Sequence, residues 1–250
     1  MATGAGRLVP IGGRDTTIDP EQLAAAVGRG AGDPHKVQPA ALSITQATET
    51  GNVYTVPQIR HLTEIAKDAG LRVHMDGARF TNALVALDCT PAEMTWKAGI
   101  DLLSFGTTKN GTLTAEAIVL FDRALALELT YRSERAGQLT AKMRFQAAQI
   151  HAYLDDDLWL RNARHANAVA TRLRTGLREI PAVSVLGNPQ ANILFCQLPQ
   201  PIIDGLYGRG FGFHADRWGS GIARFVTSFA TATDDVDDLL DAITRLTRKD

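Results

Sequence analysis

Short apolar runs of strand length alternate with helical patterns through the first half of this chain. Strand patterns at 40–45 and 71–75 flank a helical pattern at 57–68, in which one apolar stripe is followed by Gly70 as a stop. A helix between two strands returns the chain so that the second strand pairs parallel to the first. The pattern therefore predicts an α/β fold with a mostly parallel sheet.

The same alternation continues for two more strands and then stops. Further short strands are predicted at 102–105 and 117–121, and a capping box with proline at the first helical position (residues 90–93) starts a helix before them. Residues 124–177 read as almost entirely helical. Three later strands and a last helix with Thr233 as its N-cap predict a smaller α+β domain, with strands at 183–186, 193–198 and 222–228. We place a large domain at 1–150 and a small domain at 151–250.

Composition limits the kind of partner. The 250 residues are 45% hydrophobic and 21% charged, which provides enough apolar material for a sizeable core. Lys plus Arg (26) and Asp plus Glu (27) leave a formal charge of −1. This balance argues against a nucleic-acid or anionic-membrane surface. With no apolar run near the roughly 20 residues of a membrane span, and no secretory signal at 1–13, we expect a cytoplasmic protein.

Several motif classes are absent from the sequence. Gly28, Gly30 and Gly32 follow a helix, whereas a dinucleotide loop follows a strand. The sequence contains no P-loop, HExxH or GxSxG motif, and its six histidines lack metal-ligand spacing. Cys89 and Cys196 are far apart, which favours two free thiols over a lone disulfide. NTPase, zinc-enzyme and serine-hydrolase functions are disfavoured, and no metal site is expected.

Two predicted strands are followed by charged residues that the fold itself does not require. Asp76 follows the strand at 71–75, and Lys109 lies in a loop of small and hydroxyl residues after the strand at 102–105. Ligands of open α/β sheets bind at the carboxyl ends of strands. A lysine and a carboxylate there suit pyridoxal 5′-phosphate (PLP), which needs a Schiff-base lysine and an acid to keep its ring nitrogen protonated. The alternatives are an Asp76–Arg79 ion pair and an exposed loop lysine.

The residues around these two positions resemble a known family. The segment 74–79 (HMDGAR), followed by 104–109 (SFGTTK), is similar to the low-specificity L-threonine aldolases, PLP enzymes of the beta-eliminating lyase group with the fold-type-I (aspartate aminotransferase) fold. The resemblance runs from about residue 18 onward. Supporting segments lie at 43–49, 142–145, 155–160 and 224–227.

The resemblance implies a role for several residues. Lys109 would form the Schiff base with PLP, Asp76 would pair with the ring nitrogen, and Arg79 and Arg224 would grip the substrate carboxylate. Arg144 is a weaker candidate for an active-site or dimer contact. Apart from the resemblance, Thr108 and Thr107 are candidates to contact the cofactor phosphate, although alone they would hold it poorly. The implied reaction is retro-aldol cleavage of L-threonine or L-allo-threonine to glycine and an aldehyde by a homodimer or homotetramer. The resemblance names no general base, since His74 belongs to the strand.

Family chains carry a further N-terminal segment that brings a phosphate-binding loop and a histidine that stacks on the PLP ring. Residues 1–13 match neither, so we expect a large domain that is incomplete at its N-terminus. An incomplete domain exposes apolar surface, which predicts aggregation or an oligomer. Two alternatives to the aldolase stay open: a catalytically silent remnant, and another PLP-dependent beta-eliminating lyase.

Overall fold

The structure is a computed structural model that describes residues 6–248. Its first sheet has four strands in the order β1 (Ala41–Thr45), β2 (Arg72–Gly77), β3 (Leu102–Phe105) and β4 (Ala117–Leu120). The first three strands are parallel, and β4 returns antiparallel to β3. The predicted α/β fold with a mostly parallel sheet is confirmed.

Helices cover one face of this sheet. Helix α1 is Pro20–Gly28, α2 is Val56–Asp68, α3 is Phe80–Leu87 and α4 is the single turn Pro91–Met94. Their apolar stripes pack on the strand residues that point the same way, because side chains alternate between the faces of a strand. The buried strand residues of this core are Leu42, Ile44, Val73, Met75, Leu103 and Phe105.

The opposite face of the sheet is polar at its centre and more open. Ser43 and Thr45 are exposed, and His74, Asp76 and Ser104 are partly exposed on this face. Strand register places Ser43 beside His74, and places Asp76 between Thr45 and Ser104. Polar side chains therefore lie side by side across the strands. They are at the carboxyl end of the sheet, where the sequence predicts the ligand site.

Helices and a second sheet make up the rest of the chain. Helix α5 is Ala126–Arg135, α6 is Arg144–Leu154 and α7 is Leu158–Arg178. The remaining elements, in chain order, are β5 (Ser184–Leu186), β6 (Ile193–Gln197), α8 (Gln200–Tyr207), β7 (His214–Ala215), β8 (Ile222–Val226) and α9 (Thr233–Thr247). The second sheet is antiparallel, in the order β5-β6-β8-β7, and has its own core beneath α7, α8 and α9. A mixed α+β unit follows the first sheet, and a boundary at residue 150 stays a prediction.

Several helix predictions differ in detail from the structure. The helix predicted after Thr90 lasts one turn, because the backbone of Thr95 leaves the helical region (φ −118°, ψ −106°). Helix α9 has Ala232 as its N-cap, since Asp235 accepts the Ala232 N–H at 3.0 Å. Helices α3 and α8 are not predicted from the sequence, and neither has a side-chain cap.

Both cysteines are free, as favoured from their spacing. Cys196 is buried in the second core, and burial raises the pKa of its thiol to about 12. The thiol is therefore protonated at neutral pH. No helix among residues 6–248 is long and apolar enough to cross a membrane.

The ends of β2 and β3 touch through their backbones. The Gly106 N–H donates to the carbonyl of Gly77 at 3.0 Å, and a Cβ on Gly106 would lie 2.6 Å from Ala78 Cα and 2.8 Å from its oxygen. Only glycine allows this approach without moving a backbone. The contact sets the spacing between the loop that carries Asp76 and Arg79 and the loop that carries Lys109.

We predict that Gly106→Ala lowers the free energy of unfolding by about 1–3 kcal/mol, because the added methyl group overpacks against the Ala78 backbone. Chemical denaturation of both proteins measures this loss. Gly212→Ala is the matched control, since a Cβ there meets nothing within 4 Å. Equal stability of the two variants would contradict the proposed constraint.

Candidate active site

Asp76 ends β2 in a tight turn that also places Arg79. The Ala78 N–H donates to Asp76 Oδ1 at 3.0 Å, which closes the turn on the carboxylate and leaves Oδ2 without a partner among residues 6–248. The carboxylate projects from the open face, because Met75 and Gly77 point into the core. Within the part of the chain described, Asp76 and Arg79 form no ion pair within 4 Å, although the Asp76 charge raises the pKa of Arg79.

Arg79 stands at the start of α3, and its guanidinium is largely buried. Its Nε has no hydrogen-bond partner among the described residues. Burial is the largest cause that lowers the pKa of Arg79, and the neighbouring charge of Arg224 lowers it further, while Glu49 and Asp76 raise it. Two like charges are therefore held close together, with donors that the described protein groups do not satisfy.

Arg224 reaches the same place from the second sheet. It lies on β8 between β6 and β7, and its guanidinium carbon stands 5.6 Å from the ring centroid of Trp218. Its side chain is 14% exposed. The Nε is 3.0 Å from Glu49 Oε1, an ion-pair distance, but no described group accepts a hydrogen bond from it with good geometry. Arg79 and Arg224, both half-buried, thus form a cationic pair near Asp76.

Glu49 is a site residue to which the sequence assigned no role. It lies on the loop after β1, and its side chain is 55% exposed. The buried Gln46 side chain fixes this loop by accepting from Tyr54 N at 3.0 Å and donating to the Tyr54 carbonyl at 2.9 Å. The only signal for Glu49 was its place in the segment 43–49, within the family resemblance.

Lys109 lies at the end of β3, in the 3-10 turn Thr108–Asn110, and its side chain is exposed. Glu116 supports the start of this turn by accepting from Thr107 N at 3.1 Å and Thr108 N at 3.2 Å. Asn110, directly after the lysine, is buried. The exposure of Lys109 also fits the alternative of an exposed loop lysine, so its cofactor role stays a prediction. The turn lies at the strand end next to Asp76.

The chemistry of two of these residues suits PLP. Asp76 would offer a carboxylate to the ring nitrogen, and Lys109 would offer an amine to the aldehyde. The phosphate finds no free hydroxyl in the described turn, since Thr108 donates to Glu116 and Thr107 to the Ala115 carbonyl. Thr108 as a phosphate contact stays a prediction, and it requires the bond to Glu116 to open.

His74 is the other titratable group near Asp76, and both of its ring nitrogens are engaged. Nδ1 lies 2.8 Å from the Ser43 hydroxyl and Nε2 lies 2.8 Å from the Ser104 hydroxyl. Burial lowers the pKa of His74, and the nearby Asp76 carboxylate offsets this only partly. His74 therefore joins three strands as a neutral ring.

Other sequence predictions have plainer outcomes. His61 and His151 are exposed residues on helices α2 and α6. Arg144 is exposed at the start of α6, where its guanidinium carbon lies 5.8 Å from the Phe145 ring, and its dimer contact stays a prediction. Across residues 6–248 no cluster of three or more His, Cys, Asp or Glu side chains is arranged to hold a metal ion.

The lowered pKa of His74 predicts how stability depends on pH. The unfolded chain takes up this proton near the ordinary value of about 6.5, while the folded chain resists it, so the free energy of unfolding falls as pH drops below about 6.5. His74→Gln should flatten this dependence. Denaturant titrations at several pH values measure it, with exposed His61→Gln as the control. Equal pH slopes for the two variants would refute this account.

The sequence is similar to known proteins over most of its length. The sequence profile of the family Beta-eliminating lyase matches residues 2–198. Low specificity L-threonine aldolase of Pseudomonas aeruginosa is 42% identical over 95% of this chain and 65% of its own length. The enzyme of the same name from Pseudomonas sp. is 46% identical over 80% of this chain and 57% of its own length. The chain thus spans about three-fifths of the length of these relatives.

Solved structures agree on the fold. Leishmania major threonine aldolase has a TM-score of 0.84 at 24% identity and covers 92% of this chain, which spans 67% of that protein. Burkholderia pseudomallei sphingosine-1-phosphate lyase has a TM-score of 0.70 at 16% identity, over 93% of this chain and 55% of that protein. With a family profile that covers most of the sequence and a matching fold, the chain belongs to the beta-eliminating lyase family.

Proposed function

We propose that this chain cleaves β-hydroxy-α-amino acids, L-threonine and L-allo-threonine first, to glycine and an aldehyde with PLP as cofactor. One observation carries the proposal: the half-buried Arg79 and Arg224 lie near each other beside Asp76, and neither Nε has a hydrogen-bond partner among residues 6–248. An amino-acid carboxylate supplies the charge and the acceptors that this pair lacks. The names of the Pseudomonas relatives support the substrate class.

Asp76 and Lys109 would hold the cofactor at opposite ends of its ring. The free Oδ2 of Asp76 would accept the proton on the ring nitrogen and, as an anion, keep that proton in place. Lys109 Nζ would bind the aldehyde carbon until the substrate amine takes its place. The neighbouring strands β2 and β3 set the spacing of these two groups, because Asp76 pairs with Ser104 in register.

The two arginines would orient the substrate. Binding its carboxylate at Arg79 and Arg224 restricts rotation about Cα and so fixes the direction of the Cα–Cβ bond, which is a positioning effect. When bound, PLP supplies a sink for the electron pair left on Cα as that bond breaks. The β-hydroxyl loses its proton, the aldehyde leaves, and Cα gains a proton, so all atoms of the substrate appear in glycine and the aldehyde.

Glu49 lies at the proposed carboxylate site, whereas His74 has no direct part in the cleavage. Glu49 already lies 3.0 Å from Arg224 Nε, so it balances one cation before substrate arrives and has to yield this position to the incoming carboxylate. His74 keeps both ring nitrogens on serine hydroxyls. We therefore assign His74 to support of the sheet and leave the hydroxyl proton to another acceptor.

We also infer a homo-oligomer, dimer or tetramer, for the active protein. The support is a group of exposed apolar side chains on and between α5 and α6. Its members are Leu127, Tyr131, Leu139, Met143 and Phe145. Burying them against a second copy removes apolar area from water.

The first test maps the cofactor lysine. We predict that incubation with PLP followed by borohydride places a pyridoxyl group on Lys109, and that Lys109→Arg removes this adduct. Peptide mass spectrometry measures it, with exposed Lys142→Arg as the matched control. Labelling spread evenly over surface lysines, or none on Lys109 in a folded sample, would favour the catalytically silent remnant.

For labelled protein, the products distinguish two reactions of the same family. Retro-aldol cleavage of L-threonine gives glycine and acetaldehyde, whereas β-elimination of an amino acid such as L-serine gives pyruvate and ammonia. We expect glycine and acetaldehyde. Pyruvate without glycine would replace the aldolase with another PLP-dependent beta-eliminating lyase.

The second test removes one half of the cationic pair. Arg224→Gln should raise KM for L-threonine by roughly ten- to a hundred-fold, since a hydrogen bond between charged groups contributes about 1.5–3 kcal/mol. Steady-state kinetics measures the change, and kcat should change less because the carboxylate is bound before and during reaction. Arg144→Gln, on the α6 surface, is the control. An unchanged KM for Arg224→Gln would contradict the carboxylate site.

A further inference from the structure

We propose that four buried or half-buried side chains, Thr81, Asn110, Tyr153 and Asn162, form a clamp that positions Lys109. We name this set the lysine clamp. The proposal rests on the proposed function, since it explains how Lys109 is held toward the cofactor. None of the four residues was singled out by the sequence motifs.

The lysine clamp forms hydrogen bonds with Asn110, the residue that directly follows Lys109. The Asn110 side chain is 5% exposed, and its Nδ2 donates to the Tyr153 hydroxyl at 2.6 Å and to the Trp159 carbonyl at 2.9 Å. The backbone carbonyl of Asn110 accepts from Asn162 Nδ2 at 2.8 Å. Side chain and backbone of Asn110 are thus both fixed, and Lys109 is one peptide bond away.

Tyr153 connects this turn to helix α3, whose N-cap is Arg79. Its hydroxyl accepts from Asn110 and lies 3.1 Å from the Thr81 hydroxyl on α3. The ring is 2% exposed and packs 6.2 Å from the Phe105 ring, at the end of β3. A single hydroxyl therefore links the lysine turn to the helix that carries one substrate arginine.

The next residue along the chain also depends on the clamp. Gly111 has a φ of 137°, which glycine adopts readily and other residues rarely adopt. A Cβ on Gly111 would lie 2.8 Å from Asn162 Nδ2, the atom that holds the Asn110 carbonyl. The turn is thus shaped to let Asn162 reach the backbone beside the lysine.

If the Tyr153 hydroxyl positions Lys109, its removal should move the lysine turn. If it only supports the core, its removal should lower stability without moving that turn. Removing the Tyr153 hydroxyl leaves one N–H of the buried Asn110 side chain without an acceptor, which is unfavourable. The turn has to move for this N–H to find another acceptor. Movement of residues 107–112 shifts the backbone of Lys109. A purely structural hydroxyl elsewhere in the same core would cost stability without that shift.

Tyr153→Phe tests the clamp, and Tyr54→Phe is its matched control. Tyr54 is 3% exposed in the same core, and its hydroxyl accepts from Ile18 N at 2.7 Å, on a different segment from the lysine turn. Two readouts are compared in both variants and the parent protein. The first is amide hydrogen exchange of residues 107–112 without cofactor, and the second is PLP labelling of Lys109 at a subsaturating concentration, fixed by borohydride.

We expect Tyr153→Phe to speed exchange at 107–112 and to lower labelling of Lys109 about fivefold, the change that corresponds to the loss of one hydrogen bond. When the folded fractions are equal, Tyr54→Phe should show the same amide exchange at 107–112 and the same labelling of Lys109 as the parent protein. Asn162→Ala is a second variant, since it removes the backbone contact and keeps the tyrosine, and it should act in the same direction.

Two results would overturn the proposal: equal behaviour of Tyr153→Phe and Tyr54→Phe, or exchange at 107–112 in Tyr153→Phe that matches the parent. If the parent protein takes no label at Lys109, the proposed function fails, but the exchange measurement still decides whether the clamp holds the turn.

Discussion

The site depends on the parallel pairing of β2 with β3. Parallel strands end at the same edge of a sheet, so the turn after Asp76 and the turn before Lys109 have to meet there. Gly106 brings the two turns into backbone contact against Ala78. A bulkier residue at that point would separate the two groups that the proposed chemistry brings together.

The second constraint is electrostatic. Arg79 lies at the start of α3 and Arg224 lies in the second sheet, and the buried Nε atom of each lacks a hydrogen-bond partner among residues 6–248. Burying two like charges is unfavourable unless an anion completes the site. Glu49 supplies part of that charge from the half-exposed loop after β1. A binding site for a carboxylate is the simplest arrangement in which this costly pair is useful.

The sequence predicts the strands and the strand-end residues well, because short buried strands and proline-marked helix starts are local signals. Asp76, Arg79 and Lys109 are found from one motif and its spacing. Helix α3 is missed because it starts at Phe80 with no side-chain cap. The convergence of Arg224 with Arg79, and of Tyr153 with Asn110, depends on packing between segments far apart in the chain, which periodicity does not reveal.

The most direct measurement of the central claim is exchange of the glycine α-proton in D₂O, followed by NMR with the protein, PLP and glycine. The reaction needs the cofactor, the carboxylate site and Lys109 together, but no aldehyde. We predict protein-dependent loss of the α-proton signal that Asp76→Asn abolishes. Exchange no faster than with PLP alone would contradict the assignment of these strand ends as a working active site.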